Sequence, residues 1–170
     1  ARVRAGDEPA GEPAPDARRD QVDVKAARLG RVKVGHADAI QTLAEDFQVG
    51  DELVTPARTI TSTDIVNFAC ISGDFNEVHT NHEYCKTTPF GEPVAHGPLV
   101  YAIMGGLQYA SGINDGTMLA LLGIDNWRLS SPVRHGDTIR MHSRVIGKKE
   151  TSKPDRGVVT FERRCVKQDG

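Results

Sequence analysis

Asp74 and His79 stand five residues apart in the stretch Ser72-Gly-Asp-Phe-Asn-Glu-Val-His79, and together they supply one acid and one base near neutral pH. Such a pair suits the addition of water to the double bond of an enoyl thioester. A base takes a proton from water and an acid delivers one to Cα; elimination uses the same groups in reverse. On a loop, spacing is not bound to helical or strand period, so two side chains five apart can converge on one point. Negative charge that builds on the thioester oxygen needs a donor. The free N–H at Gly97, where an apolar helix begins, can supply it with help from the helix dipole. Glycine there also permits close approach of a ligand. Asn76 can orient one of the pair through its amide, and His96 lies beside Gly97.

Each of these residues also has a plainer role. An aspartate after Ser-Gly is a common turn residue or cap, and an asparagine in a loop commonly closes an Asx-turn. His79 can be a satisfied structural histidine, Gly97 an N-cap or packing glycine, and His96 can fasten the loop instead of touching substrate. His79, His82, Cys85 and His96 lie within eighteen residues, but their spacing matches no closed zinc pattern, so no metal is expected.

These residues must be positioned by the elements around them. Thr61-Ser-Thr63 offers hydroxyl N-caps to a helix from Asp64 to about Ile71, with Ile65, Phe68 and Ala69 on one face; Ser72-Gly73 stops it. A loop rich in functional groups follows from Asp74 to Gly97, with a turn or two of helix over His82 to Thr87 before Pro89. Gly97-Pro98 starts a second helix running through Leu99, Val100, Ile103, Met104, Leu107 and Ala110. It keeps almost no polar face, so something other than solvent should wrap it. Strands suited to wrapping it come next: Met118 to Leu129, Thr138 to Gly147, and Gly157 to Val166 around Phe161, the last two alternating. Leu53 to Ile60 is a further strand, with Pro56 suiting an edge or bulge. A long buried helix with an antiparallel meander predicts an α+β fold in which a curved antiparallel sheet wraps a central helix, a hot-dog outline.

Residues 1 to 46 contain no aromatic residue and place Pro9, Pro13 and Pro15 among Ala, Gly and acids, which predicts a flexible tail or linker ahead of a domain over 47–170. Within it, Arg31 to Val34 can be a short strand and Ala37 to Phe47 a short helix. The strand ending at Val166 runs into Lys167-Gln-Asp-Gly170, a hairpin-turn signal with no partner after it. Ala1 to Gly6 would serve as that last strand; a truncated C-terminus is the alternative.

The length of 170 residues fits one core. With 21 Lys plus Arg against 23 Asp plus Glu, a net charge of −2 gives no electrostatic reason for a nucleic acid or anionic membrane partner. No basic-aromatic interleaving points to nucleic acid either. The apolar run from Pro98 to Ala110 is too short for a membrane span. Acids at 7, 8, 12 and 16 argue against a transit peptide, and three cysteines without framework spacing fit a reducing compartment; a cytoplasmic location is expected.

The run Ser-Gly-Asp-Phe-Asn-x-x-His, followed by Phe-Gly-x-Pro-Val-Ala-His-Gly, resembles the signature of the MaoC-like, or R-specific, enoyl-CoA hydratase family. The resemblance covers roughly Phe47 to Gly170 and includes Ser131-Pro-Val-Arg-His-Gly-Asp-Thr138. It implies a hot-dog fold, catalytic roles for Asp74 and His79, the carbonyl-polarising N–H at Gly97, and a supporting site role for Asn76. It further implies no cofactor beyond the coenzyme A or carrier-protein thioester of the substrate, and a homodimer or higher hot-dog oligomer. Two departures stand out: Glu77 where the family has Pro, and Asn81 where it has Asp. They leave the acid-base pair intact and point to altered loop shape and substrate; Glu77, if it points inward, disfavours a carboxylated substrate. A thioesterase on the same fold and a non-catalytic acyl-thioester-binding module are the competing readings. The histidine argues against the first, and the intact Asp74, His79 and Gly97 against the second.

Overall fold

Alternation along two long strands builds the floor of the molecule. The computed structural model describes residues 44–170 and the course of one strand, β1, over Val22–Leu29. The remaining elements are β2 (Glu52–Val54), β3 (Arg58–Thr59), α1 (Ser62–Ser72), α2 (Glu77–Thr80), α3 (His82–Cys85), α4 (Gly97–Ala110), β4 (Met118–Asn126), β5 (Thr138–Glu150) and β6 (Arg156–Val166). In β5, Ile139, Met141, Ser143 and Val145 are buried while Arg140, His142 and Arg144 face out, as the period of two requires. In β6, Val159, Phe161 and Arg163 share the inner face.

The sheet is antiparallel in the order β2-β5-β6-β1-β4, with β3 pairing β5. Helix α4 packs on it through Leu99, Val100, Ile103, Met104 and Leu107, which join Ile60, Ile65, Val133, Ile139 and Met141 in the main core. This is the expected hot-dog arrangement, with one qualification. Within the single chain α4 is covered on one face only; Ala102, Gly105, Gly106 and Tyr109 are exposed.

One strand of the sheet comes from ahead of the expected boundary at residue 47. Val22–Leu29, inside the segment expected to be a tail, runs antiparallel to β6 from Val22↔Arg163 to Leu29↔Arg156 and pairs β4 on its other side. The acids and prolines around it dominate the local composition, whereas β6 offers a full ladder of unpaired amides that any extended segment can satisfy. The place expected for Ala1–Gly6 is therefore taken by β1; residues 1–6 themselves lie outside the described residues, as do 31–34. Of the expected helix over 37–47, residues 37–43 lie outside them too, and 44–46 form a turn.

Pro56 divides the expected strand over 53–60 into β2 and β3. At the break Thr55 holds the register: its N–H donates to Met141 O at 3.0 Å, and Met141 N–H donates to Thr55 Oγ1 at 3.0 Å. Strand β4 stops at Asn126, three residues short of the expected Leu129.

Candidate active site

Helix α1 begins with a capping box, in which Thr61 Oγ1 accepts from Asp64 N–H and the Asp64 carboxylate accepts in turn from Thr61 N–H. It ends at Gly73, whose φ of 76° allows its N–H to reach Ala69 O at 2.8 Å. That left-handed turn throws the chain into the loop carrying Asp74. The Asp74 N–H donates to Ser72 Oγ, and its Oδ1 accepts from Asn76 N–H at 3.2 Å, so the carboxylate is held at an exposed position with its second oxygen available to other partners.

His79 sits in α2, a single turn capped by Asn76, whose Oδ1 accepts from Val78 N–H at 3.3 Å. The imidazole is half-buried. Its Nδ1 lies 2.7 Å from Val94 O; because a carbonyl only accepts, Nδ1 carries the hydrogen and Nε2 presents its lone pair. Below it lies His96, with ring centroids 3.7 Å apart and planes inclined at 28°. His96 is 1 % exposed, packs on Phe68 at 5.0 Å, and its Nε2 donates to the Asp74 carbonyl at 2.9 Å. One histidine thus ties the Asp74 loop to the start of α4 and floors the other. Ligand-type atoms of Asp74, His79 and His96 all fall within 4.8 Å of one another.

Gly97 is the first residue of α4, with Pro98 behind it, so its N–H is one of those a helix leaves unsatisfied internally. The packing role weighed for this glycine has a specific partner in the structure. A methyl built on Gly97 would lie 2.5 Å from Leu129 Cδ1, so glycine accommodates Leu129, an exposed residue from the segment after β4, as well as any ligand.

The structure therefore brings Asp74, His79, His96 and the Gly97 amide to one end of α4. Asn76 caps α2 through Oδ1, and His96 fastens the loop through Nε2. The four residues weighed as a zinc set do not assemble: His82 is exposed, while the buried Cys85 thiol lies 3.4 Å from the Glu77 and Val78 carbonyls. The two departures from the family pattern meet each other, for Asn81 Nδ2 donates to Glu77 Oε1 at 2.9 Å along α2. Glu77 is exposed, and its carboxylate lies along the helix surface. Two contributors escaped the sequence: the Val94 carbonyl, which as a main-chain group has no residue signature, and the Phe68 ring, whose helical spacing with Ile65 marks it only as core.

An acid, an imidazole bonded through Nδ1 and a helix-terminal amide thus meet at one end of the hot-dog helix. The MaoC like domain family matches residues 46–164, and the chain belongs to that family. It is 40% identical over 112 residues to Protein MaoC of Klebsiella aerogenes, a match covering 66% of this chain and 32% of that protein, so the chain spans about a third of that relative. It is 32% identical over 133 residues to an (R)-specific enoyl-CoA hydratase of Rhodospirillum rubrum, covering 76% of this chain and 84% of the relative. Among solved structures, a MaoC-like dehydratase from Rhodospirillum rubrum aligns with a TM-score of 0.64 at 27% identity, covering 74% of this chain and 86% of that one. The (R)-hydratase from A. caviae involved in PHA biosynthesis aligns at 0.59 and 26%, covering 74% and 89%.

Proposed function

We propose that the chain is a hydro-lyase that adds water to an enoyl thioester, or removes it from a 3-hydroxyacyl thioester, with Asp74 and His79 as the acid-base pair. The observation that carries this is the bond from His79 Nδ1 to Val94 O, which leaves Nε2 as an acceptor on a ring that has a ligand-type atom within 4.8 Å of one of Asp74. In hydration the imidazole takes a proton from water as it attacks Cβ, and the Gly97 N–H stabilises the charge on the thioester oxygen. The Asp74 carboxylate accepts a hydrogen bond from the attacking water and holds it, and the imidazolium formed at His79 returns its proton to Cα; the reverse sequence eliminates water. Coenzyme A or a carrier protein enters only as part of the substrate, and no metal takes part.

The named activities of relatives agree in kind: an (R)-specific enoyl-CoA hydratase and 3-hydroxyacyl-thioester dehydratase Z of Mycobacterium tuberculosis. A thioesterase would need no imidazole with a fixed tautomer. Crotonyl-CoA separates the two: loss of enoyl absorbance with the thioester intact is the expected result, and release of free thiol would establish hydrolysis instead.

We further infer a homodimer. The edge strand β4 exposes Leu119, Leu121, Leu122 and Ile124, an apolar edge that a second copy can cover. Sedimentation of the full chain is expected to give twice the chain mass, and the double variant Leu121→Lys/Ile124→Lys the monomer. A cytoplasmic location is supported by Cys70, Cys85 and Cys165 all being free. Among the described residues, no helix is long and apolar enough to cross a membrane.

A further inference from the structure

The hydrogen on the His79 ring is fixed by one main-chain oxygen, so whatever fixes that oxygen bears on the proposed reaction. Val94 O lies 2.7 Å from His79 Nδ1. Val94 follows Phe90-Gly-Glu-Pro93 and is pinned from two sides. Its N–H donates to Val78 O at 3.0 Å, and it forms a short antiparallel bridge with Arg134, next to which Ala95 N–H donates to Val133 O at 2.7 Å. The residues before it have little hold of their own. Pro93 has no N–H to donate. Arg134 apart, residues 90–93 bond among the described residues only back to Thr88, through Phe90 N–H and Gly91 N–H at 3.2 Å each.

The Arg134 side chain closes that gap. Its Nη2 donates to Phe90 O at 3.2 Å, and its Nε lies 3.2 Å from Glu92 Oε1, so one planar group grips the segment at two points. The other end of the clamp is anchored. Arg134 N–H donates at 2.8 Å to Asp137, a buried carboxylate that also accepts from Lys167 and Gln168. An ion pair to an exposed glutamate contributes little by itself. The charge-assisted bond to a main-chain carbonyl contributes more, and the rigid fork fixes the direction from which the segment is held.

We propose that Arg134 is a positioning residue: it clamps residues 90–93 so that the Val94 carbonyl keeps the hydrogen on His79 Nδ1 and leaves Nε2 to accept one. This rests on the hydratase reading above. Without the clamp the segment is tethered only to Thr88, and Val94 O is no longer held against the ring. A neutral imidazole then divides between its two tautomers, one of which carries its hydrogen on the nitrogen that must take a proton from water. The competing role for a partly exposed arginine is a contact with the nucleotide phosphates of coenzyme A, which has a different kinetic mark.

Nitrogen NMR of the full chain labelled at histidine reads the tautomer directly, with His79→Gln identifying that ring among the six histidines. The unaltered protein is expected to show the Nδ1–H form and Arg134→Met a mixture of both. Hydration by Arg134→Met is expected to lose about 3- to 10-fold in kcat with KM within about twofold, equally for crotonyl-CoA and for crotonyl-pantetheine, which lacks the nucleotide phosphates. Lysine is a single point donor that can meet Phe90 O or Glu92 but not both, so Arg134→Lys is expected to fall between the two in both readouts. It carries the test if the methionine variant does not fold. Unchanged His79 signals would overturn the proposal, as would an unchanged kcat or a loss confined to KM for crotonyl-CoA, the mark of a phosphate contact. The tautomer is read without turnover. A chain that hydrates neither thioester, while its His79 signals still respond to Arg134, would sink the hydratase reading and leave the positioning role standing.

Discussion

The imidazoles of His79 and His96 stack 3.7 Å apart, and each is anchored to a main-chain carbonyl: His79 to Val94, His96 to Asp74. The buried ring is thus a floor for the half-buried one and a strut for the loop that carries the Asp74 carboxylate. On the proposed chemistry His96 acts through these neighbours, as a positioning residue.

Its replacement should expose that role. His96→Leu fills much of the space but loses the bond to the Asp74 carbonyl, so kcat for crotonyl-CoA is expected to fall about 10- to 100-fold with KM changed much less, as misplaced groups do. Steady-state kinetics checks this; a change confined to KM would place His96 against the substrate instead.

Asp137 fastens the C-terminal turn. It accepts from Arg134 N–H at 2.8 Å, Gln168 Nε2 at 3.0 Å and Lys167 Nζ at 3.3 Å. Burial raises its pKa, but the bonds from Gln168, Arg134 and Lys167 outweigh it, and the net shift is downward. A depressed carboxylate contributes stability that is present above its unfolded value, about 3.9, and lost as pH falls through the lower folded value. Asp137→Asn is therefore expected to cost about 1–3 kcal/mol at neutral pH. Denaturant melts across the acid range should show the difference from the unaltered protein shrinking below about pH 4.

The thiols should differ sharply in reactivity. Burial, with the Asp137 carboxylate nearby, pushes the Cys165 thiol up to about 11, whereas Cys70 is exposed on α1. Iodoacetamide at mildly alkaline pH is expected to label Cys70 fast and Cys165 only on unfolding, read by peptide mass. Labelling of Cys165 at the rate of Cys70 would mean that β6 opens readily.

Metal independence follows from the proposed chemistry. Exhaustive dialysis against a chelator is expected to leave hydration of crotonyl-CoA unchanged; restoration by added zinc after a loss would make the Asp74, His79 and His96 donors a metal centre.

Much of this is legible in the sequence because it is local. Gly97-Pro98 marks the start of α4, Ser72-Gly73 the end of α1, and the period of two along β5 assigns its faces. What escapes is nonlocal. The turn signal after Val166 shows that β6 needs a further partner, but the occupant, Val22–Leu29, is chosen by long-range pairing that composition obscures. The Gly97 requirement comes partly from Leu129, thirty-two residues away. Arg163 is in phase with Phe161, so parity alone places it inside; only the packed structure shows that its Nε and Nη2 find no hydrogen-bond partner among the described residues.

The most direct test of the central claim measures hydration of crotonyl-CoA by Asp74→Asn and His79→Gln beside the unaltered chain, with melting temperatures as a control. Each change is expected to lower kcat by about 10²- to 10⁴-fold, the usual worth of a positioned acid or base. Neither should shift melting by much, since Asp74 is exposed and His79 only half-buried. Turnover that survives either substitution would contradict the account.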